Sequence, residues 1–359
     1  MSESDSANIL VFRIGHLGDT LVALPAFWSM RSAFPNARLT LLSNEDAANP
    51  GYVSAQSVLP ATGLFDDWMS YPSGGGIIAS NVGRASLLVD LRRRRFDKLF
   101  YLPPRVRTLQ QVNRDLRFFK FAGFSEVLAA ERYLTDRVEL PLQAPLPYTQ
   151  SEMSFLLGAV SSAGVSISSR TDPGLTNAER TRAGEWFRSA GGSIEKRLIA
   201  IAPGSKWASK LWPAERYSQV VSELIAKRDI LPVVFGGPEE ASLGRDLIAA
   251  WGRGINPAGE LSVRESAALL ERCAMYLGND TGTMHLAASV GTPCVAIFAG
   301  IDLPGRWTPV GDRNAIFRTR IPCEGCYSPE CPNDIQCLTS IDETAVLEAC
   351  LRVLSEVAR

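Results

Sequence analysis

Apolar positions along the chain fall into short unbroken runs, separated by stretches in which they recur every three or four residues. Ile9 to Ile14 is one such run. Gly15 to Asp19 follows it, and Leu21, Leu24, Phe27, Met30 and Phe34 then recur at helical spacing, which reads as strand, tight loop, helix. A second run at Arg38 to Leu42 completes a βαβ unit and implies a parallel sheet. Runs at Ser86 to Leu91 and Lys98 to Leu102 are expected to extend that sheet.

The pattern then changes. Pro141, Pro145 and Pro147 open a stretch poor in charge, a Ser-rich segment runs to Ser169, and a helical segment covers Asn177 to Ala190. Beyond it the alternation restarts, with strands at Leu198–Ala202, Leu231–Phe235, Met275–Gly278 and Cys294–Phe298. Helices are expected at Ala214–Lys227, Glu239–Trp251, Val263–Cys273 and Thr281–Val290. Two doubly wound α/β units in one chain account for this order. We place the first domain at 1–180 and the second at 181–341, with a terminal helix, Glu343 to Ala358, that has to dock back on the body.

Composition narrows the function classes. The chain has 359 residues, 46% hydrophobic and 21% charged, as in soluble globular proteins. Lys+Arg 37 against Asp+Glu 38 gives a formal net charge of -1, so the molecule as a whole has no electrostatic reason to seek nucleic acid. Local charge differs: residues 84–137 hold 13 Lys/Arg against six Asp/Glu, a formal +7. This is either a solvated face or a surface for an anionic acceptor or membrane headgroups. The N-terminus has acids where an export signal would be basic, and the longest stretch free of Asp, Glu, Lys and Arg, Thr281 to Ile301, is interrupted by His285, Gly291 and Pro293. A cytoplasmic protein is expected.

Three loops can carry chemistry. The first βα turn holds Gly15, His16, Gly18 and Asp19; its glycines permit close backbone approach and its amides attract anions. A nicotinamide site would need a third glycine, although Glu45 and Asp46 stand where a ribose-binding acid would. Asp19 reads equally as a helix cap or as a general base at a strand end. The second loop, Pro203 to Pro213, presents Ser205, Lys206 and Lys210, and lysines suit a diphosphate as compact point charges. The third, Gly278-Asn-Asp280-Thr281-Gly282-Thr283-Met-His285, opens a helix whose free amides make a phosphate seat. Asp280 could be only its cap, and His285, grouped here with the donor-binding residues, is more readily a packed residue than a catalyst.

HLGDTLVALPAFWSMRSAFPNARLTLL, PGSKWASKLWP, FGGPEE and GNDTGTMHLAASVGTPCVAIF, in this order and spacing, resemble glycosyltransferase family nine, the ADP-heptose:lipopolysaccharide heptosyltransferases. The resemblance touches both halves. It implies a GT-B fold, two Rossmann-like domains facing a central cleft, with the acceptor on the first and the nucleotide-sugar on the second. It also implies an inverting, metal-independent transfer. In that reading Asp19 is the general base and Lys210 neutralises the leaving diphosphate. Asp280, Thr281, Gly282 and Thr283 hold the diphosphate, and Glu240, with Glu239, lies by the nucleoside ribose. Leu211 stands where an arginine is frequent, and Leu102-Pro103-Pro104-Arg105 replaces a usually polar strand continuation.

Four cysteines, Cys323, Cys326, Cys331 and Cys337, share one loop-like stretch. They read as reduced packing residues, a redox-dependent disulfide, or a structural zinc or iron site; no cofactor is expected for catalysis. The leading expectation is transfer of a heptose or related sugar from a nucleoside-diphosphate sugar to an anionic, lipopolysaccharide-core or lipid-linked envelope acceptor. Segment 84–137 would touch the inner membrane peripherally. The alternatives are a nucleotide-sugar epimerase or hydrolase of the same fold, or a non-catalytic nucleotide-sugar-binding protein.

Overall fold

The computed structural model describes residues 7–45, 51–72, 77–136, 138, 144–193 and 195–357. Asp46, Arg137, Pro141 and Ala358 of the sequence reading lie outside them. The chain divides into two compact units, one of residues 1–140 and 150–174, the other of 141–149 and 175–359. The division at 174/175 precedes the helix Asn177–Ser189, whereas a boundary at 180/181 would cut that helix.

The first unit is built on β1 (Asn8–Phe12), β2 (Arg38–Glu45), β3 (Asp67–Pro72), β4 (Lys98–Tyr101) and β5 (Val127–Leu128). They form one sheet in the order β3-β2-β1-β4-β5, and every pairing is parallel. In β1, Ile9, Leu10 and Val11 are wholly buried, as expected of a central strand covered on both faces. The strand order reverses direction between β1 and β4, which leaves a crevice at the carboxyl ends of these two strands.

Ser86 to Leu91 is not a strand. It lies within the helix Ile77–Arg94, where Leu87 and Leu91, four apart, are buried while Val89 is 47% exposed. The run is apolar, but only its helical face is covered. The outer strands of this sheet are instead β3 and β5, from segments the periodicity did not mark.

The second unit holds β6 (Arg197–Ala202), β7 (Ile230–Val234), β8 (Met275–Asn279), β9 (Cys294–Phe298) and β10 (Ala315–Arg318), ordered β10-β9-β8-β6-β7 and again all parallel. Every residue of β8 and β9 is buried. The helix Ala214–Lys227 puts Tyr217, Val220, Val221 and Leu224 on this sheet, at the three- and four-residue intervals that make one apolar stripe. The terminal helix Glu343–Val357 adds Val346, Ala349, Cys350, Val353 and Leu354 to the same core.

Helix starts are fixed by capping boxes, among them Thr176 with Glu179 and Ser262 with Glu265. Glu179 also takes two hydrogen bonds from Arg264, at 2.5 and 3.0 Å. Burial raises the Glu179 carboxyl, but Arg264 and Thr176 outweigh it and hold the pKa down to about 2. A carboxyl depressed in the folded state contributes stability above its unfolded pKa, and that stability is lost as pH falls from about 4.5 to about 2. Glu179→Gln should therefore flatten the acid limb of the melting profile in that window, by up to about 3 kcal/mol. Thermal unfolding from pH 2 to 7 measures it; an unchanged acid limb would show that the carboxylate is not held.

Candidate active site

At the end of β1 the backbone makes a tight turn into a short helix, Leu17–Leu21. Gly15 has φ +139°, and a Cβ there would stand 2.3 Å from Cβ and Cγ of Asp19, so only glycine lets the Asp19 side chain fold back over the turn. Asn44 Oδ1 accepts from the Gly15 N–H at 2.7 Å, and the Tyr52 hydroxyl donates to the Gly15 carbonyl at 3.0 Å. Asp19 Oδ2 accepts from the backbone N–H of His16 at 2.9 Å, so His16 holds the N-cap position and Asp19, three residues on, closes the capping box rather than being the cap itself. The carboxylate is nonetheless not sealed in: its side chain keeps 17% exposure. His16 is exposed, with its ring 5.4 Å from that of Tyr52.

In the second unit the loop after β6 and the end of β8 meet around Asn279, a fully buried residue the motif reading passed over. Its Oδ1 accepts from the Trp212 N–H at 3.2 Å and the Tyr217 hydroxyl at 2.8 Å, and its Nδ2 donates to the Pro203 carbonyl at 2.7 Å. That one amide ties the loop after β6 to the end of β8. The next residue, Asp280, is 4% exposed, and its Oδ2 accepts from Lys210 Nζ at 2.9 Å, while its carbonyl accepts at 3.2 Å. Lys210 is thus placed at the mouth of the helix Gly282–Ser289, where Thr281, Gly282 and Thr283 are half-buried. The amides of this first turn have no helical carbonyl ahead of them. A cation beside a helix N-terminus is a seat for a doubly charged anion.

Glu240 closes the other side of this unit's strand ends. Its stem packs so near Gly204 and Gly236 that a Cβ at either would meet it at 2.3 and 2.7 Å, and its Oε2 accepts from the Gly237 N–H at 2.7 Å. Burial, helped by the charge of Glu239, raises its carboxyl. Ser205 Oγ accepts from the Trp207 N–H at 3.2 Å, and Lys206 and Glu239 are exposed. Ser209, also unforeseen, is 1% exposed and bonds to the carbonyls of Ser328 and Pro329 at 2.6 and 3.1 Å, which anchors the turn bearing Lys210. The nicotinamide reading finds no support: Glu45 accepts from Ser70 Oγ at 2.8 Å, and no third glycine follows Gly18 in the turn.

The four cysteines lie at different depths. Cys337 is buried, Cys323 and Cys331 are half-buried and Cys326 is exposed, all as free thiols. Burial pushes the Cys337 thiol up, and the other three add to the shift. Among the described residues no three His, Cys, Asp or Glu side chains come together as a metal-holding group. Cys337 is drawn into the core of the unit, while Cys326 faces solvent.

Two parallel, doubly wound sheets, one of them with a cation and a helix start at its strand ends, make a two-unit α/β protein of the GT-B type. Residues 149–336, just over half the chain, match the model of glycosyltransferase family 9 (heptosyltransferase), and the chain belongs to that family. It is 30% identical over 134 residues to lipopolysaccharide heptosyltransferase 2 of Salmonella typhimurium, covering 35% of this chain and 37% of that one. It is 29% identical over 134 residues, with the same coverage, to the Escherichia coli K12 protein of the same name. The chain thus spans little more than a third of the length of these curated relatives. Among solved structures it resembles a glycosyl transferase family 9 protein from Veillonella parvula, with TM-score 0.75, 20% identity and 99% of each chain covered. It also resembles E. coli ADP-heptose lps heptosyltransferase II, with TM-score 0.68, 20% identity, and 98% and 100% covered.

His285, on the helix after Asp280, is 5% exposed, and its ring lies 5.9 Å from that of Trp307. Burial lowers its pKa to about 4, so at neutral pH it is uncharged. The unfolded chain then binds this proton first as pH falls, and stability is lost between about 6.5 and about 4. The full effect is about 3 kcal/mol. His285→Gln should reduce the slope of melting temperature against pH in that interval, and an identical slope would rule out a buried neutral imidazole.

Proposed function

We propose that the protein is an inverting glycosyltransferase that moves a heptose from ADP-heptose onto a lipopolysaccharide-core or related envelope glycan. The observation that carries the reading is the Lys210–Asp280 pair at the N-terminus of the helix Gly282–Ser289, inside the stretch that matches the family. The names of the relatives supply the sugar and the acceptor class.

The chemistry assigned to these groups balances simply. The acceptor hydroxyl gives its proton to the Asp19 carboxylate, and its oxygen bonds to the anomeric carbon from the face opposite the diphosphate. The carbon–oxygen bond to the diphosphate breaks, and the nucleoside diphosphate leaves with the electron pair. Lys210 and the amides of 281–283 meet the charge that develops. Ser205 and Lys206 flank the donor, Glu240 and Glu239 suit ribose hydroxyls, and Gly15, His16 and Gly18 shape the acceptor turn. Neutral His285 adds packing rather than charge. Epimerisation, hydrolysis and non-catalytic binding gain no support from any particular feature.

Asp19→Asn should lower kcat by about 10³-fold while ADP affinity, read by calorimetry, stays within twofold. Undiminished transfer would remove Asp19 from the base role. Lys210→Ala should weaken ADP binding by roughly tenfold or more; unchanged affinity would remove the lysine from the diphosphate seat.

The reading includes a cytoplasmic enzyme that touches the inner membrane through 84–137. No described helix is long and apolar enough to cross a membrane. Within 84–137, Arg84, Arg93, Arg95, Arg117 and Lys120 are exposed, outside the ion pairs that occupy Arg94, Lys98, Arg105, Arg107, Arg114 and Arg132. Phe121 is 64% exposed, with Arg92 stacked 4.6 Å above its ring. A basic surface with apolar side chains fits an anionic bilayer. Vesicles containing phosphatidylglycerol should sediment the protein, and the combined change Arg93→Ala, Arg117→Ala and Lys120→Ala should release it. Equal binding to purely zwitterionic vesicles would refute the contact.

A further inference from the structure

Arg13 follows directly on β1 and is 2% exposed although it carries a full charge. Its Nε and Nη2 both donate to the carbonyl of Asp19, at 3.0 and 2.7 Å, and its Nη1 donates to the carbonyl of Leu102 at 3.0 Å. The guanidinium therefore bridges the turn after β1 and the chain leaving β4, the two strand ends between which the sheet reverses. Its charge is met by Asp19 Oδ1 at 3.6 Å and by Glu152 Oε1 at 3.7 Å. Glu152 is wholly buried, and the same oxygen accepts from the backbone N–H of Arg105 at 2.9 Å.

Neither side chain reaches solvent, so neither can touch a substrate. Each acts only on what it holds. Asp19 is gripped at its carbonyl by Arg13 and at its carboxylate by the His16 N–H, and the missing Cβ of Gly15 gives its side chain the space it folds into.

We propose that Arg13 and Glu152 form a buried positioning pair that fixes the Asp19 turn in the orientation needed for proton abstraction. Arg13 supplies the fork that reaches both strand ends, and Glu152 balances its charge. Lysine cannot take its place, because a single ammonium on a flexible stem does not reproduce a planar, two-pronged donor. The inference rests on Asp19 being the base, since a displacement of about 1 Å at a catalytic group is worth about 100-fold in rate.

The test uses Arg13→Lys and Glu152→Gln, both of similar volume to the native residues, with ADP-heptose as donor and truncated lipopolysaccharide core as acceptor. Arg13→Lys should lower kcat by about 10- to 100-fold and leave the calorimetric Kd for ADP within twofold. Amide hydrogen exchange should quicken across residues 15–20, with β1 and β4 unchanged. Glu152→Gln should shift both readouts in the same direction by less, and the double variant should lose no more than Arg13→Lys alone, since the two act through one contact. Native kcat and native exchange in Arg13→Lys would overturn the proposal, as would a loss accompanied by weaker ADP binding or by faster exchange throughout the unit. Asp19→Asn, assayed alongside, separates the two levels. If it stays active, the base reading fails whatever Arg13 does; if it is inactive while Arg13→Lys is native, only the positioning role fails.

Discussion

A parallel sheet stops with backbone polar groups unpaired at its carboxyl edge, and a buried unpaired group costs about 1–3 kcal/mol. Each unit meets this constraint with one buried polar side chain. In the first, the Arg13 guanidinium collects the carbonyls of Asp19 and Leu102. In the second, the Asn279 amide collects the Trp212 N–H and the Pro203 carbonyl, with the Tyr217 hydroxyl as a further partner. The choice of side chain follows from the chemistry at hand. Asn279 must both accept and donate, and an amide does both; Arg13 faces carbonyls and carboxylates alone, so a pure donor serves. The groups proposed for chemistry, Asp19 and Lys210, are held beside these two braces, Asp19 at its carbonyl by Arg13 and Lys210 by Asp280, the residue after Asn279.

Charge is distributed with the same economy. The turn at Asp19 is anionic over a buried cation, and the mouth of the helix Gly282–Ser289 sets a cation beside a buried carboxylate. A pair of opposite charges is less costly to hold in low dielectric than either alone, yet each arrangement keeps one member part-exposed: Asp19 at 17% and Lys210 at 19%. Each arrangement thereby keeps one charged side chain accessible without holding an isolated buried ion.

The sequence was most readable where a pattern and a local cap agreed. The helix Ala214–Lys227 and the strand Cys294–Phe298 were legible to the residue, because their apolar positions all face one core. The segment Ser86 to Leu91 misled because a short apolar run has no inherent period, and the solvent exposure of Val89 is a tertiary fact. The helix Glu152–Ser162 was hidden differently. Glu152, Phe155, Leu156, Ala159 and Val160 are buried at perfect helical intervals, but a buried glutamate and surrounding serines disguise the stripe as a polar linker. The three chemical loops were visible from their glycines and charges. Arg13, Asn279 and Ser209 were not, since their partners are carbonyls and amides far along the chain, and no residue type announces a backbone group.

The path of the chain carries a consequence for how the protein can be taken apart. It leaves the first unit at 140, contributes 141–149 to the second, and returns for 150–174. Glu152 comes from that returning piece. A gene fragment ending at the first apparent junction would code for β1 to β5 yet lack Glu152, leaving Asp19 as the one remaining carboxylate of the two that meet the charge of Arg13. Neither unit corresponds to one uninterrupted stretch of chain, so domain exchange among relatives would have to carry 150–174 with the amino-terminal half.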